Sequence, residues 1–196
     1  MRGPRLGSVD DLFDFAELQI RQPVKILPGR ASYQILGDRK QLVAIVTEVE
    51  GRSVLDKIAK LLPDTRVLTV TTAAGEPMMT VAYQGGKWLV EVTDAEDSLI
   101  GKIRIGGSRR HYTLLDAEGT EIAQAVGDLA VRRFTVTGTN RPPFAEVKKT
   151  FAGPVKEALT SSDHYTVRFI LPPRPLERIL TVLMPIVIDL ARYGPS

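Results

Sequence analysis

The sequence predicts a mainly β fold, a closed antiparallel barrel of about twelve strands around a buried C-terminal α-helix. From about residue 24 onward, short runs rich in Val, Ile, Thr, Tyr and Phe alternate with turn residues, which is the signature of consecutive hairpins. The longest apolar stretch, 179–188, is interrupted only by Thr181 and Pro185. It falls short of the roughly 20 apolar residues a bilayer requires. With its neighbours it is apolar around the whole helical circumference, so protein must surround it. A closed barrel supplies that surrounding and removes exposed sheet edges.

Taken in order, residues 1–22 carry Gly3, Pro4 and Gly7, with Pro23 just beyond, and lack a sustained period. They read as a tail with one short helix around 10–18, ahead of a single domain over 23–196. The candidate strands are 24–27, 33–37, 42–49, 66–71, 77–83, 87–93, 99–105, 111–116, 121–127, 133–137, 144–149 and 165–171. Turn chemistry separates them, as in Gly37-Asp38, Ala74-Gly75, Asp94 to Asp97, Asp116 to Gly119 and Gly138 to Asn140. Strand-turn-strand units recur with a period of roughly 22 to 24 residues, read equally as an internal duplication or as ordinary hairpin succession.

One helix is expected at 53–62, with Ser53 as its cap, Pro63 at its end and a single apolar face. In the C-terminal helix, Leu176, Ile179, Leu180, Val182, Leu183, Met184, Ile186, Val187, Ile188 and Leu190 cover all sides. Pro185 removes one of its hydrogen bonds, which predicts a kink near 181–184 or a late start.

The absence of cysteine excludes disulfides, thiolate metal sites, a cysteine nucleophile and palmitoylation. A net charge of +3 is too small to indicate nucleic acid, so any basic site is a local patch. Asp10, Asp11, Asp14 and Glu17 break up the N-terminal apolar residues, so no signal peptide is expected and the cytoplasm is the predicted location.

Several segments, in order, resemble one known family. They are Leu99-Ile100-Gly101-Lys102-Ile103, a Gly-bearing strand; Tyr112-Thr113-Leu114-Leu115-Asp116 with the Gly119 turn; and Glu146-Val147-Lys148-Lys149-Thr150-Phe151-Ala152-Gly153. The last is Thr160-Ser161-Ser162-Asp163-His164-Tyr165-Thr166-Val167-Arg168-Phe169, followed by the apolar helix ending Ile188-Asp189. Over about residues 30–193 the chain is similar to the phospholipid-scramblase and LURP-one-related branch of the tubby-like superfamily. The resemblance implies a barrel around a central helix and a non-enzymatic protein that contacts phospholipid. In two respects the chain departs from eukaryotic scramblases. Ser161, Asp163 and Tyr165 lack the carboxylate spacing of a calcium loop, and the palmitoylated cysteines and proline-rich extension are missing.

No catalytic residue, metal site or cofactor is expected. His111 and His164 stand in separate strands without metal-ligand spacing. No nucleophile-elbow, P-loop or dinucleotide fingerprint occurs. Asp163, beside Thr160 and Ser162, reads as a loop aspartate bonded to its own backbone. Asp189 is expected either to bond barrel backbone or to pair with Arg192.

The sharpest candidate is basic. Lys102 and Arg104 share one strand face, and Arg109-Arg110 follow in the next connection. Arg132-Arg133 and Lys148-Lys149 join them if neighbouring hairpins converge. Lys102, Arg104, Arg109 and Arg110 are therefore expected to bind the headgroups of anionic phospholipid, peripherally, at a membrane surface. The competing readings are solubilising charges on a barrel exterior, or a regulatory scaffold with a protein partner.

Overall fold

The structure, a computed structural model, describes residues 13–22, 32–49, 65–150 and 164–193. Its strands are β1 (Glu17–Arg21), β2 (Ser32–Leu36), β3 (Leu42–Glu48), β4 (Thr65–Thr72), β5 (Pro77–Gln84) and β6 (Leu89–Asp94). They continue with β7 (Leu99–Ile105), β8 (His111–Asp116), β9 (Glu121–Gly127), β10 (Arg133–Gly138), β11 (Pro143–Thr150) and β12 (His164–Phe169), followed by helix α1 (Pro175–Tyr193). Every strand pairs antiparallel with its sequence neighbours, and β1 pairs with β12, so the sheet closes into a twelve-stranded barrel. The expected fold class is the observed one.

The strands are not quite the expected twelve. The tail and the helix around 10–18 are corrected: residues 13–16 are not helical, and Glu17–Arg21 is the strand that closes the barrel. Leu18 registers with Val167 and Ile20 with Tyr165, and both Leu18 and Ile20 are fully buried. Two alternating apolar residues suffice because only one face of a barrel strand meets the core. Without β1, the edges of β2 and β12 would lie open. The expected strand 24–27, the helix 53–62 and the loop holding Asp163 lie outside the described residues.

Helix α1 occupies the interior, and every residue from Ile179 to Ala191 is buried. Its first residue is Pro175, where a missing N–H costs nothing because first-turn donors have no helical partner. The late start is thereby excluded, and Pro185 sits inside one 19-residue helix. The sheet makes room for α1 at β7. A Cβ on Gly101 would stand 3.0 Å from the Leu115 carbonyl oxygen and 3.1 and 3.2 Å from Cδ1 of Leu176 and Leu180. The Gly-bearing strand therefore has a packing reason.

Polar side chains fix both ends of the helix. At the end where α1 begins, called upper here, Arg141 of the β10–β11 turn donates to Glu177 Oε2 at 2.9 Å and to the Pro172 carbonyl at 3.0 Å. The Arg174 backbone N–H meets the same Glu177 oxygen at 2.7 Å, half of a capping box. Arg178 bonds the Phe13 and Phe15 carbonyls at 2.8 and 3.1 Å, tying the helix to the segment before β1. At the lower end, Asp189 accepts a 2.6 Å hydrogen bond from the Tyr165 hydroxyl, a partner the sequence did not suggest. A carboxylate near a helix C-terminus opposes the macrodipole, so a donor there is required.

Candidate functional site

The meander sorts the turns into two sets. Those after β4, β6 and β8 lie at the upper end, and those after β5, β7 and β9 lie at the lower end. The three upper turns, with the strand residues that open them, carry Glu76, Asp94, Glu96, Asp97, Asp116 and Glu118 and no base. The three lower turns, with Arg133 at the start of β10, carry Lys87, Arg109, Arg110, Arg132 and Arg133 against the single acid Asp128. On this side of the barrel the molecule is electrostatically polarised along its axis. Upper turns elsewhere hold bases, Arg39, Lys40 and Arg141, but Arg141 is committed to Glu177. A depression at the upper end, between Phe15, Leu42, Thr72 and Glu76, offers no basic side chain.

The lower set is held firmly. Arg109 lies over the Trp88 ring with 5.1 Å between Cζ and the ring centre, joining the turns after β5 and β7. Arg110 reaches the turn after β9, where its carbonyl accepts the Gly127 N–H at 2.7 Å. Asp128 Oδ1 accepts the Arg132 N–H at 2.8 Å. This backbone bond, with the nearby Arg133 and Arg110 charges, holds the Asp128 carboxyl below the usual carboxylate range. On the outer wall, Arg133 of β10 stands directly opposite Lys148 of β11, and both are exposed. Like charges in register are unfavourable. Among the described residues, Lys87, Arg104, Arg109 and Arg133 form no salt bridge.

Left-handed backbone at non-glycine residues occurs in upper turns, at Arg39, Lys40, Asp97 and Asn140, and in each of these three lower turns as well. Trp88, Arg109 and Val131 have φ of 53°, 54° and 54°. The left-handed region costs an ordinary L-residue roughly 1–2 kcal/mol and is rarer still for a β-branched one. Each described lower turn thus places a side chain where glycine would be less strained.

The four expected residues divide. Arg109 and Arg110 sit in the basic end, and Arg104 points outward on β7 leading down to it, with Leu89 and Thr113 as register neighbours. Lys102 lies one step higher on the wall, in register with the acidic Glu91 of β6, without an ion pair between them. Of the further bases, Arg132, Arg133 and Lys148 join the site. Lys149 does not, since it points inward, 8% exposed, over the Tyr165 ring. Adjacent strand residues face opposite sides, so the Lys148-Lys149 pair could never act together. Arg66, another base of this end, is engaged through Nε and Nη2 with the Glu48 carboxylate, at 2.7 Å for each contact. That bond is the main cause of its raised pKa. Sequence reasoning missed Lys87, Trp88 and Leu129, which no motif marks.

Other chemistry is sparse. Among the described residues, no three His, Cys, Asp or Glu side chains gather to hold a metal ion. His111 bonds Ser108 through Nδ1 at 3.2 Å on the surface. Tyr112, buried edge-on against Phe134, has its phenol pKa pushed up by that burial, so it stays neutral. No described helix is long and apolar enough to cross a membrane.

Among curated proteins, none matches the chain. A family model described as Scramblase matches residues 32–194, from β2 through the end of α1, which is the barrel and its central helix apart from β1. The chain belongs to the Scramblase family.

Proposed function

We propose that this chain is a non-enzymatic, scramblase-like barrel that binds the headgroups of anionic phospholipids peripherally through its lower end. The axial segregation of charge carries this reading: on one side of the barrel, five bases and one acid in the three described lower turns face away from six acids in the three upper turns after β4, β6 and β8. A basic side chain close to an anionic bilayer contributes about 1 kcal/mol. Five in one rim, without carboxylate partners on most of them, make an anion-seeking face out of a nearly neutral protein. Of the four residues first singled out, Arg104, Arg109 and Arg110 contribute most, and Lys102, facing Glu91, least.

Co-sedimentation with phosphatidylserine-containing vesicles, beside neutral phosphatidylcholine vesicles, tests this reading. Binding to the anionic vesicles should weaken steeply with salt, because exposed charges are screened over about 8–10 Å at physiological ionic strength. Replacing Lys102, Arg104, Arg109 and Arg110 together by Ala should cost at least tenfold, with Lys102→Ala alone nearly silent. Absence of binding at low salt, or unchanged binding by the quadruple variant, overturns the assignment. A stoichiometric protein partner bound by the same face would favour the scaffold reading instead.

A further inference from the structure

We propose that Leu129 is an apolar prong that enters the interfacial layer of an anionic bilayer and orients the barrel end-on, with the C-terminal end of α1 toward the membrane. This rests on the headgroup reading above and adds to it a depth and an orientation. Leu129 is 86% exposed, far beyond any other large apolar residue of the described chain. It stands in the turn after β9, with Arg132 and Arg133 following, and Val126, 42% exposed, just above it on the wall.

The turn that presents Leu129 is rigid. The Val131 N–H bonds the Asp128 carbonyl at 3.1 Å, the Asp128 N–H bonds the Arg133 carbonyl at 2.9 Å, and Asp128 Oδ1 holds the Arg132 N–H. Val131, in its left-handed conformation, turns back to pack against the core. Val131 is thus spent on anchoring the turn while Leu129 is left in water. A leucine in water forgoes its burial free energy, and the surface that would recover it must also tolerate the arginines beside it. The headgroup region of an anionic bilayer meets both demands. Trp88, half-buried beneath Arg109, has the amphipathic character that suits the same depth.

The upper end also exposes apolar residues, Ile170 and Leu171. Their backbone N–H groups bond the Phe144 carbonyl, prolines follow them, and they share their end with the carboxylate turns. That end holds Arg39, Lys40 and Arg174 but more carboxylates than bases, and so lacks the basic excess of the lower turns, which makes Leu171 the internal control.

Because the chain has no cysteine, Leu129→Cys and Leu171→Cys can each carry a single environment-sensitive fluorophore. With vesicles of phosphatidylserine and phosphatidylcholine, the probe at 129 should shift to the blue and be quenched by lipids spin-labelled near the headgroup. The probe at 171 should do neither. Without a label, Leu129→Asp should weaken co-sedimentation roughly tenfold or more, and Leu171→Asp should leave it unchanged. Vesicle binding with the 129 probe still in water, or an unaffected Leu129→Asp, overturns the insertion while leaving the headgroup site standing. A blue shift at 171 overturns the orientation. No vesicle binding by the parent protein removes both readings, and a shift at 129 produced only by an added protein assigns the prong to a protein interface.

Discussion

Four turns of this barrel are built to one design, and the upper and lower ends use it differently. In each, a Thr or Asp side chain accepts the N–H four residues on: Thr72 from Glu76, Asp94 from Ser98, Asp116 from Thr120 and Asp128 from Arg132. In each, the residue three positions on donates to the carbonyl of that first residue and takes a left-handed φ. At the upper end that residue is Gly75, Asp97 or Gly119, types that accept the conformation at little cost. At the lower end it is Val131. Local turn chemistry would choose Gly or Asn at all four. The three upper turns of this design follow local preference, and the lower one departs from it to display Leu129 beside two arginines; outside the design, Arg39 and Lys40 of the upper β2–β3 turn depart too. Departures of this kind point to a task other than folding.

The two ends also differ in what their charges do, and the largest expected effect tests the upper one. Glu177 is fully buried and its ion-pair partner is Arg141. Arg141→Ala leaves a carboxylate in the core with only the Arg174 N–H to compensate it. The expected cost is about 3–5 kcal/mol, read from the midpoint of urea unfolding. Vesicle binding by the fraction that remains folded should not change. If the variant unfolds at the parent midpoint, the upper charges are not structural and the contrast between the ends fails.

How much of this contrast was legible in the sequence depends on which physics encodes it. The buried helix was plain because ten apolar residues on every side of a helix admit few interpretations. β1 was readable in principle, since Leu18 and Ile20 alternate with polar residues. The acidic, proline-flanked surroundings obscured so short a signal. Arg109-Arg110 stood out because two bases end a glycine-rich turn, whereas the acid standing opposite Lys102, Glu91, is supplied by strand register. Register is fixed by pairing along the whole meander and is invisible locally. Leu129 carried no signal, because an apolar turn residue means nothing until its end of the barrel is known to be basic.

A smaller effect, opposite in sign for two measurements, concerns Arg133. It faces Lys148 across the β10–β11 ladder, and like charges directly opposite one another are destabilising. Arg133→Glu converts the pair to opposite charges and should raise stability by roughly 0.2–1 kcal/mol. Vesicle affinity should fall at the same time by more than the loss expected for Arg133→Ala. Stability gained as binding is lost would mark the repulsion as retained for function. Should Arg133→Glu destabilise the protein, the attraction between Arg133 and the Asp128 carboxylate outweighs the repulsion from Lys148, and the repulsion no longer supports a functional reading of the basic rim.

The smallest effect turns on Asp128, the single acid of the three described lower turns. Asp128→Asn keeps an oxygen able to accept the Arg132 N–H, so the turn should survive while one negative charge leaves the basic face. Affinity for anionic vesicles at neutral pH should rise by a few-fold at most. A second signature follows from the depressed pKa. A carboxyl whose folded pKa lies below its unfolded value contributes stability at pH above the unfolded value, and that contribution is lost as pH falls through the folded one. Urea unfolding of the parent should therefore weaken below the ordinary carboxylate range more than that of Asp128→Asn, with the two converging once the carboxyl is protonated. Parallel pH profiles would show that Asp128 owes nothing to its arginine neighbours, and the lower turns would then be basic in composition without being basic in field.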